Sequence, residues 1–325
     1  MNLTDTHAHL YWNSFKEDPP AGRQGFDEML QRAIDVGVST IINVGVDLEK
    51  SEEALKQVQD LEKDPKWQNM KFFSTIGIHP HEALRYAQGK LSDVDVSIRK
   101  DIEHLEQIYH SNISKCIGIG ECGLDFLFEN NPDWILHSLR HSELDSESQK
   151  TEIPERIRDD EELISQIKNL QKKLFQAQIE LAKNLHLPLI VHCRDDRSKN
   201  PEDSEAWDET IDMTKDHFGI YHCYSGLPST TNLILNSTNF LISFAANITY
   251  PKNDYLRDAA KIIPLNRIVL ETDSPFLAPQ NKRGQRNEPS NILEVAKPTS
   301  EIKKISLEEV ARQTTENVAK LLRLG

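Results

Sequence analysis

The stretch LTDTHAHLYW, residues 3–12, runs from a short β-branched segment into two histidines one residue apart. In a strand, side chains at i and i+2 share a face, so Asp5, His7 and His9 are expected to point the same way. Two imidazoles aimed together at the exit of a first strand make a poor core and a good half-site for a divalent metal. By itself, HxH spacing also suits hydrogen-bonded core histidines.

Seven further runs resemble the first. They are STIINVG (39–45), KFFSTIGI (71–78), KCIGIGE (115–121), LPLIVHC (187–193), GIYHC (219–223), FLISFA (240–245) and RIVLETD (267–273). Segments with helical periodicity separate them, and that alternation is the signature of a parallel sheet covered by helices. Eight strand–helix units predict an α/β fold, a closed (β/α)8 TIM-type barrel, in preference to an open doubly wound sheet. Leu163, Ile167, Leu170, Leu174, Phe175, Ile179 and Ala182 form the apolar stripe of a helix over 162–185. Ser306 and Glu309 stand in capping-box spacing before a final helix. Pro298 is expected to kink the helix that contains it. Residues 129–159 are long, polar and rich in Ser and Glu, so they read as a surface insertion after the fourth strand, with His137 and His141 as solvated side chains. The whole chain, 1–325, is then expected to be one barrel domain.

Composition narrows the function. A net charge of −14, from 38 basic and 52 acidic residues, argues against a broad phosphate-tracking surface. Any nucleic acid must be gripped locally. Apolar runs fall short of the ~18 residues needed to cross a bilayer, so no membrane role is expected. The N-terminal residues carry no secretory pattern, which makes the cytoplasm the expected location. Cys116, Cys122, Cys193 and Cys223 lack CxxC spacing and read as free thiols in or beside strands. Cys193 and Cys223 each follow a histidine, so alternation should turn them outward.

The strand ends carry the chemistry. The third runs into His79 and His81, the fourth into Glu121 and Asp125, the fifth into His192 and Arg194, the sixth into His222, and the eighth into Glu271 and Asp273. With the first, six strands bring His, Glu or Asp to one level, and that level is where active sites of this fold gather. Taken singly, His192 reads equally as a core histidine, Glu121 as a capping partner and Asp273 as an N-cap before Pro275. Taken together, four histidines and two carboxylates buried in one mouth without a cation would leave costly unpaired polar groups.

In the ordered set DTHAHL, GIHPH, GECGLD, VHCRD, HCYSG, ETDSPFLAP and RGQRNEP, the chain resembles the TatD family of metal-dependent hydrolases. The resemblance covers nearly the whole length apart from 129–159. It implies a barrel with a two-metal centre in which His7, His9, Glu121 and Asp273 bind one ion. Glu121, His192 and His222 then bind the second, with Glu121 bridging. Lys115 stands at the wrong end of the fourth strand to supply the carbamylated lysine of related hydrolases. Three positions depart from the family: Cys122 replaces the usual Ile, and Phe126 and Phe276 stand where a Tyr is common. Asp273 is the candidate to orient the attacking water and take its proton. His79 and Arg194 are expected to contact phosphate, Arg194 through a planar fork that matches phosphate oxygens unless Asp195 or Asp196 holds it. Arg283, Arg286, Asn287 and Glu288 are expected to shape the mouth.

Two divalent ions in such a site point to hydrolysis. The mixed N/O donor set suits Zn, Mn, Co or Fe, while Mg prefers oxygen. The leading expectation is a deoxyribonuclease that trims single-stranded or end-frayed DNA, with RNA as a second polymer and no obligate protein partner. One alternative keeps the metals but hydrolyses an acyl bond, as an amidase, lactonase or aminoacyl-tRNA deacylase does. Another makes the chain a metal-stabilised scaffold.

Overall fold

The computed structural model describes residues 1–17, 23–87, 93–127, 160–197 and 200–323. The expected insertion at 129–159, with His137 and His141, lies outside them. The eight strands are β1 (Leu3–Ala8), β2 (Val38–Val44), β3 (Lys71–Ile76), β4 (Cys116–Asp125), β5 (Leu189–Arg194), β6 (Gly219–Tyr221), β7 (Leu241–Phe244) and β8 (Ile268–Leu270). Each pairs in parallel with the next, in the order β1 to β8. Just past β8 the chain returns to β1: Asp273 N donates to His7 O at 2.9 Å and His9 N donates to Ser274 O at 2.7 Å. A parallel bridge between Ala8 and Ser274 sits at the same seam, so the barrel closes at its upper rim. All eight strands predicted from the sequence are present.

Inward-facing Ile42, Val44, Ile190, Ile220, Leu241 and Val269 fill the lower interior, and Val318 packs against them from the last helix, Leu307–Leu321. The opposite faces of these strands carry Ile41, Leu189, Val191, Tyr221, Ile242 and Leu270 into the larger core beneath the surrounding helices. This is the two-sided burial that a parallel sheet requires. Ser306 caps the last helix by accepting from Glu309 N at 3.1 Å, as its spacing predicts. The helix Ile292–Lys303 continues through Pro298.

The helix Asp160–Leu185 buries the expected apolar stripe, and two polar residues lie within it. Gln171 and Gln178, seven residues apart and therefore on one face, are both buried. Gln178 accepts from Ile78 N at 2.8 Å and donates to Ile78 O at 2.9 Å. Gln171 does the same to Asp125, at 2.9 Å and 3.0 Å. One helix thus clamps the chain ends of β3 and β4, just where their ionisable side chains emerge.

A candidate metal centre at the barrel mouth

Local irregularities aim the site. Between Asp5 and Ala8, β1 gains one residue relative to β2, a bulge that reverses the side-chain alternation. Thr6 faces inward to Ser243 Oγ at 3.3 Å, and after the bulge His7 faces inward as well. Asp5 therefore does not join the histidines as simple alternation predicts. Its carboxylate accepts from Thr272 N at 2.9 Å and Thr272 Oγ1 at 2.6 Å, tying β1 to the chain beyond β8. A second extra residue lies in β4 between Ile119 and Cys122, where Glu121 emerges. Gly123 follows with φ +139°, and a Cβ there would stand 1.9 Å from His192 O, so only glycine lets β4 approach β5 this closely.

Glu121 sits at the centre, nearly buried, and its two oxygens face different groups. Oε2 lies 3.3 Å from His7 Nε2 and 3.8 Å from His9 Nε2. Those two nitrogens are 3.2 Å apart, and Asp273 Oδ1 stands 3.6 Å from His9 Nε2 and 3.8 Å from His7 Nε2. Oε1 lies 2.8 Å from His222 Nε2, 3.0 Å from His192 Nδ1 and 3.5 Å from His79 Nε2. His192 Nδ1 and His222 Nε2 are 3.4 Å apart. Bonds of about 2.0–2.1 Å in tetrahedral geometry would set donor atoms roughly 3.4 Å apart, a spacing that the 2.8–3.8 Å distances of the two groups bracket.

Outer partners fix which ring nitrogen faces inward. His9 Nδ1 donates to Val44 O at 2.8 Å, which leaves the lone pair on Nε2. His222 Nδ1 lies 3.0 Å from Glu271 Oε1, which also accepts Cys223 N at 2.7 Å. His192 Nε2 lies 3.0 Å from Asp125 Oδ2, leaving Nδ1 for Glu121. Such carboxylate–imidazole pairs are the usual outer support of metal-ligating histidines. Asp125 and Glu271 are visible in the sequence as strand-end carboxylates, but their orienting role depends on which histidine stands opposite.

The charges fit a cation. Burial opposes ionisation of Glu121, yet His222, His79 and His7 outweigh it and hold its carboxyl well below the usual range. Burial also opposes protonation of His192, but Asp125 and Glu121 lift it to about 9, and carboxylates raise His222 likewise. Burial and the neighbouring His222 pull His7 down to about 4. Protons on His192 and His222 thus occupy positions where divalent ions could sit. His7 Nδ1 and Glu271 Oε2 are buried with no hydrogen-bond partner among the described residues. Among the described residues, three sets of donors lie close enough to share an ion: His7, His9 and Glu121; His79, Glu121 and His192; and His7, His222 and Glu271.

His79 differs from the other histidines. Its Nδ1 accepts from His81 N at 3.2 Å, so its Nε2 carries the proton and is a donor. Arg194 is not drawn into the cluster. Asp195 instead accepts from Arg197 and from Ala206 N at the start of the helix Glu205–Thr214, and the exposed Arg194 side chain makes no ion pair among the described residues. Burial raises Asp195 to about 6. Cys193 is buried and accepts from Thr210, as alternation predicts. Cys223 is not turned outward: β6 ends at Tyr221, and Cys223 takes a left-handed backbone (φ 44°) beside Asn247 and Glu271 at the mouth. Lys115 pairs with Glu62 at the far end of β4.

A family profile described as TatD related DNase matches residues 4–323. The uncharacterized metal-dependent hydrolase YabD of Bacillus subtilis is 28% identical over 99% of this chain and all of its own length. A 3'-5' ssDNA/RNA exonuclease TatD of Pantoea ananatis is 25% identical, covering 92% of this chain and 93% of that protein. Among solved structures, the TatD homolog YJJV of Escherichia coli has a TM-score of 0.71 at 22% identity, over 99% of this chain and 98% of that one. That last likeness is one of fold. Among the described residues, no helix is long and apolar enough to cross a membrane.

Proposed function

Because the chain belongs to the TatD related DNase family of metal-dependent hydrolases, we propose that it is a cytoplasmic exonuclease that hydrolyses phosphodiester bonds at the ends of single-stranded DNA or RNA. The observation that carries this reading is the split environment of Glu121, whose two oxygens address two separate sets of nitrogen and oxygen donors. His7, His9, Glu121 and Asp273 would hold one divalent ion, and Glu121, His192 and His222 a second. Such ions, when bound, supply Lewis acidity toward a phosphodiester and make water acidic enough to ionise near neutral pH.

The chain's own groups do the rest. Asp273 is held by backbone bonds to β1 and keeps its carboxylate at the open edge of the cluster. From there it orients the attacking water and accepts its proton. His79 donates from Nε2, and Arg194 offers its fork, to non-bridging phosphate oxygens. Asp125 and Glu271 keep His192 and His222 in one tautomer. The acidic surface limits the grip to a few nucleotides. The exonuclease name carried by the Pantoea ananatis relative is consistent with this polymer choice.

The reading is tested by supplying the purified protein with Mn²⁺ or Zn²⁺ and comparing single-stranded oligonucleotides with a panel of esters, amides and aminoacyl-tRNA. Progressive trimming from one end with no acyl hydrolysis is the expected result. Turnover of acyl substrates alone would replace it with the acyl-hydrolase reading.

A further inference from the structure

Beside the proposed metal donors the mouth carries an aromatic wall that none of the chemistry above uses. Phe276 is 42% exposed, the one aromatic among the large exposed apolar residues described. Its ring meets Trp12 edge to face with centroids 5.1 Å apart. Both rings lie against His9, at 5.7 Å and 6.0 Å. Short turns fix them there: Trp12 N donates to His9 O at 3.1 Å, and Phe276 N donates to Asp273 O at 2.8 Å. Each aromatic thus projects from a turn that begins at a proposed metal donor, so its position is tied to that of the reacting phosphate. An exposed phenyl ring forfeits the gain of burial, and Phe lacks even the hydroxyl that would satisfy water.

Resting on the nuclease reading, we propose that Trp12 and Phe276 form a stacking subsite for the nucleobase that flanks the cleaved phosphodiester bond. Two aromatic rings set edge to face, one of them exposed, beside an anion-binding centre suit a nucleotide, whose base and phosphate are joined by one sugar. Stacking is tolerant of sequence because every base presents a π-face, so this subsite holds the strand end without selecting a base. It also supplies grip to a protein whose net charge of −14 gives little to the backbone. Among the described residues Trp67 and Trp207 are buried, and Trp12 is the half-buried indole, beside the site.

The test compares wild type with Phe276→Ala, Phe276→Leu and Phe276→Tyr on a single-stranded dodecamer and on the same dodecamer with an abasic sugar at the flanking position. On the intact strand, Phe276→Ala and Phe276→Leu should raise KM by roughly tenfold, and Phe276→Tyr should restore it. On the abasic strand, wild type should itself show the raised KM, and the substitutions should change it by less than about twofold. Equal effects of Phe276→Ala on intact and abasic strands, or no effect on either, would overturn the subsite while leaving the nuclease reading standing. A wild-type protein that neither binds nor cleaves the dodecamer would overturn both.

Discussion

Along β5, β6 and β8 a step of two residues toward the C-terminus replaces Ile190 by His192, Ile220 by His222 and Val269 by Glu271. All six side chains face the barrel axis, so two adjacent layers of one interior are built from opposite materials. The lower layer gains free energy by leaving water. The upper layer gives up solvation of imidazoles and carboxylates, which is tolerable only where each is partnered or neutralised by a cation. Stability and chemistry are therefore separated along the strand axis rather than along the sequence, and substitutions in the two layers should fail in different ways.

The sharpest contrast comes from Glu121→Gln. Activity should fall by more than ~10²-fold, beyond the loss typical of an outer-partner substitution, because both donor sets lose their shared carboxylate. The metal-free protein should keep its fold, its imidazoles shedding the protons that the Glu121 carboxylate holds on them. A retained kcat would break the contrast. In the lower layer, Ile190→Ala should cost about 2–5 kcal/mol in urea unfolding through the cavity it leaves. An Ile190→Ala variant that unfolds at the wild-type urea concentration would place stability elsewhere.

Smaller effects test how the layers are joined. Glu271→Gln and Asp125→Asn should each weaken metal affinity or activity by about 10–100-fold while leaving the apo fold intact, as titration with a competing chelator would report. Gln178→Leu removes the clamp on Ile78 and leaves its N–H and C=O unpaired, so a loss of about 1–3 kcal/mol is expected in thermal unfolding. The smallest effect is ionic: a plot of log affinity for single-stranded DNA against log salt should have a slope of only about −1.4 to −2.1, for two or three phosphates at ~0.7 each. A slope several times steeper would mean a long backbone track that this acidic chain is not expected to have.

Much of this is legible in the sequence. Strand runs and their terminal His, Glu and Asp residues depend on local pattern, and the structure places His7, His9, Glu121, His192, His222 and Asp273 within reach of one another. What depends on a neighbouring strand was not readable. The β1 bulge that separates Asp5 from His7 is a matter of register against β2, invisible in alternation alone. Cys223 escapes the outward face because β6 stops at Tyr221, and strand length is set by pairing. Gln171 and Gln178 stand outside the apolar stripe of their helix, and their role depends on Ile78 and Asp125 across from them. Trp12 and Phe276 are 264 residues apart and become one wall only when the barrel closes.

The central claim is that the two oxygens of Glu121 serve two cations. Anomalous diffraction from crystals soaked in Mn²⁺ or Zn²⁺ tests it directly. Two peaks about 3.5–4 Å apart on either side of the Glu121 carboxylate are expected, one near His7, His9 and Asp273 and one near His192 and His222. A single peak, or a peak between His7, His222 and Glu271 with none beside Glu121, would contradict the account.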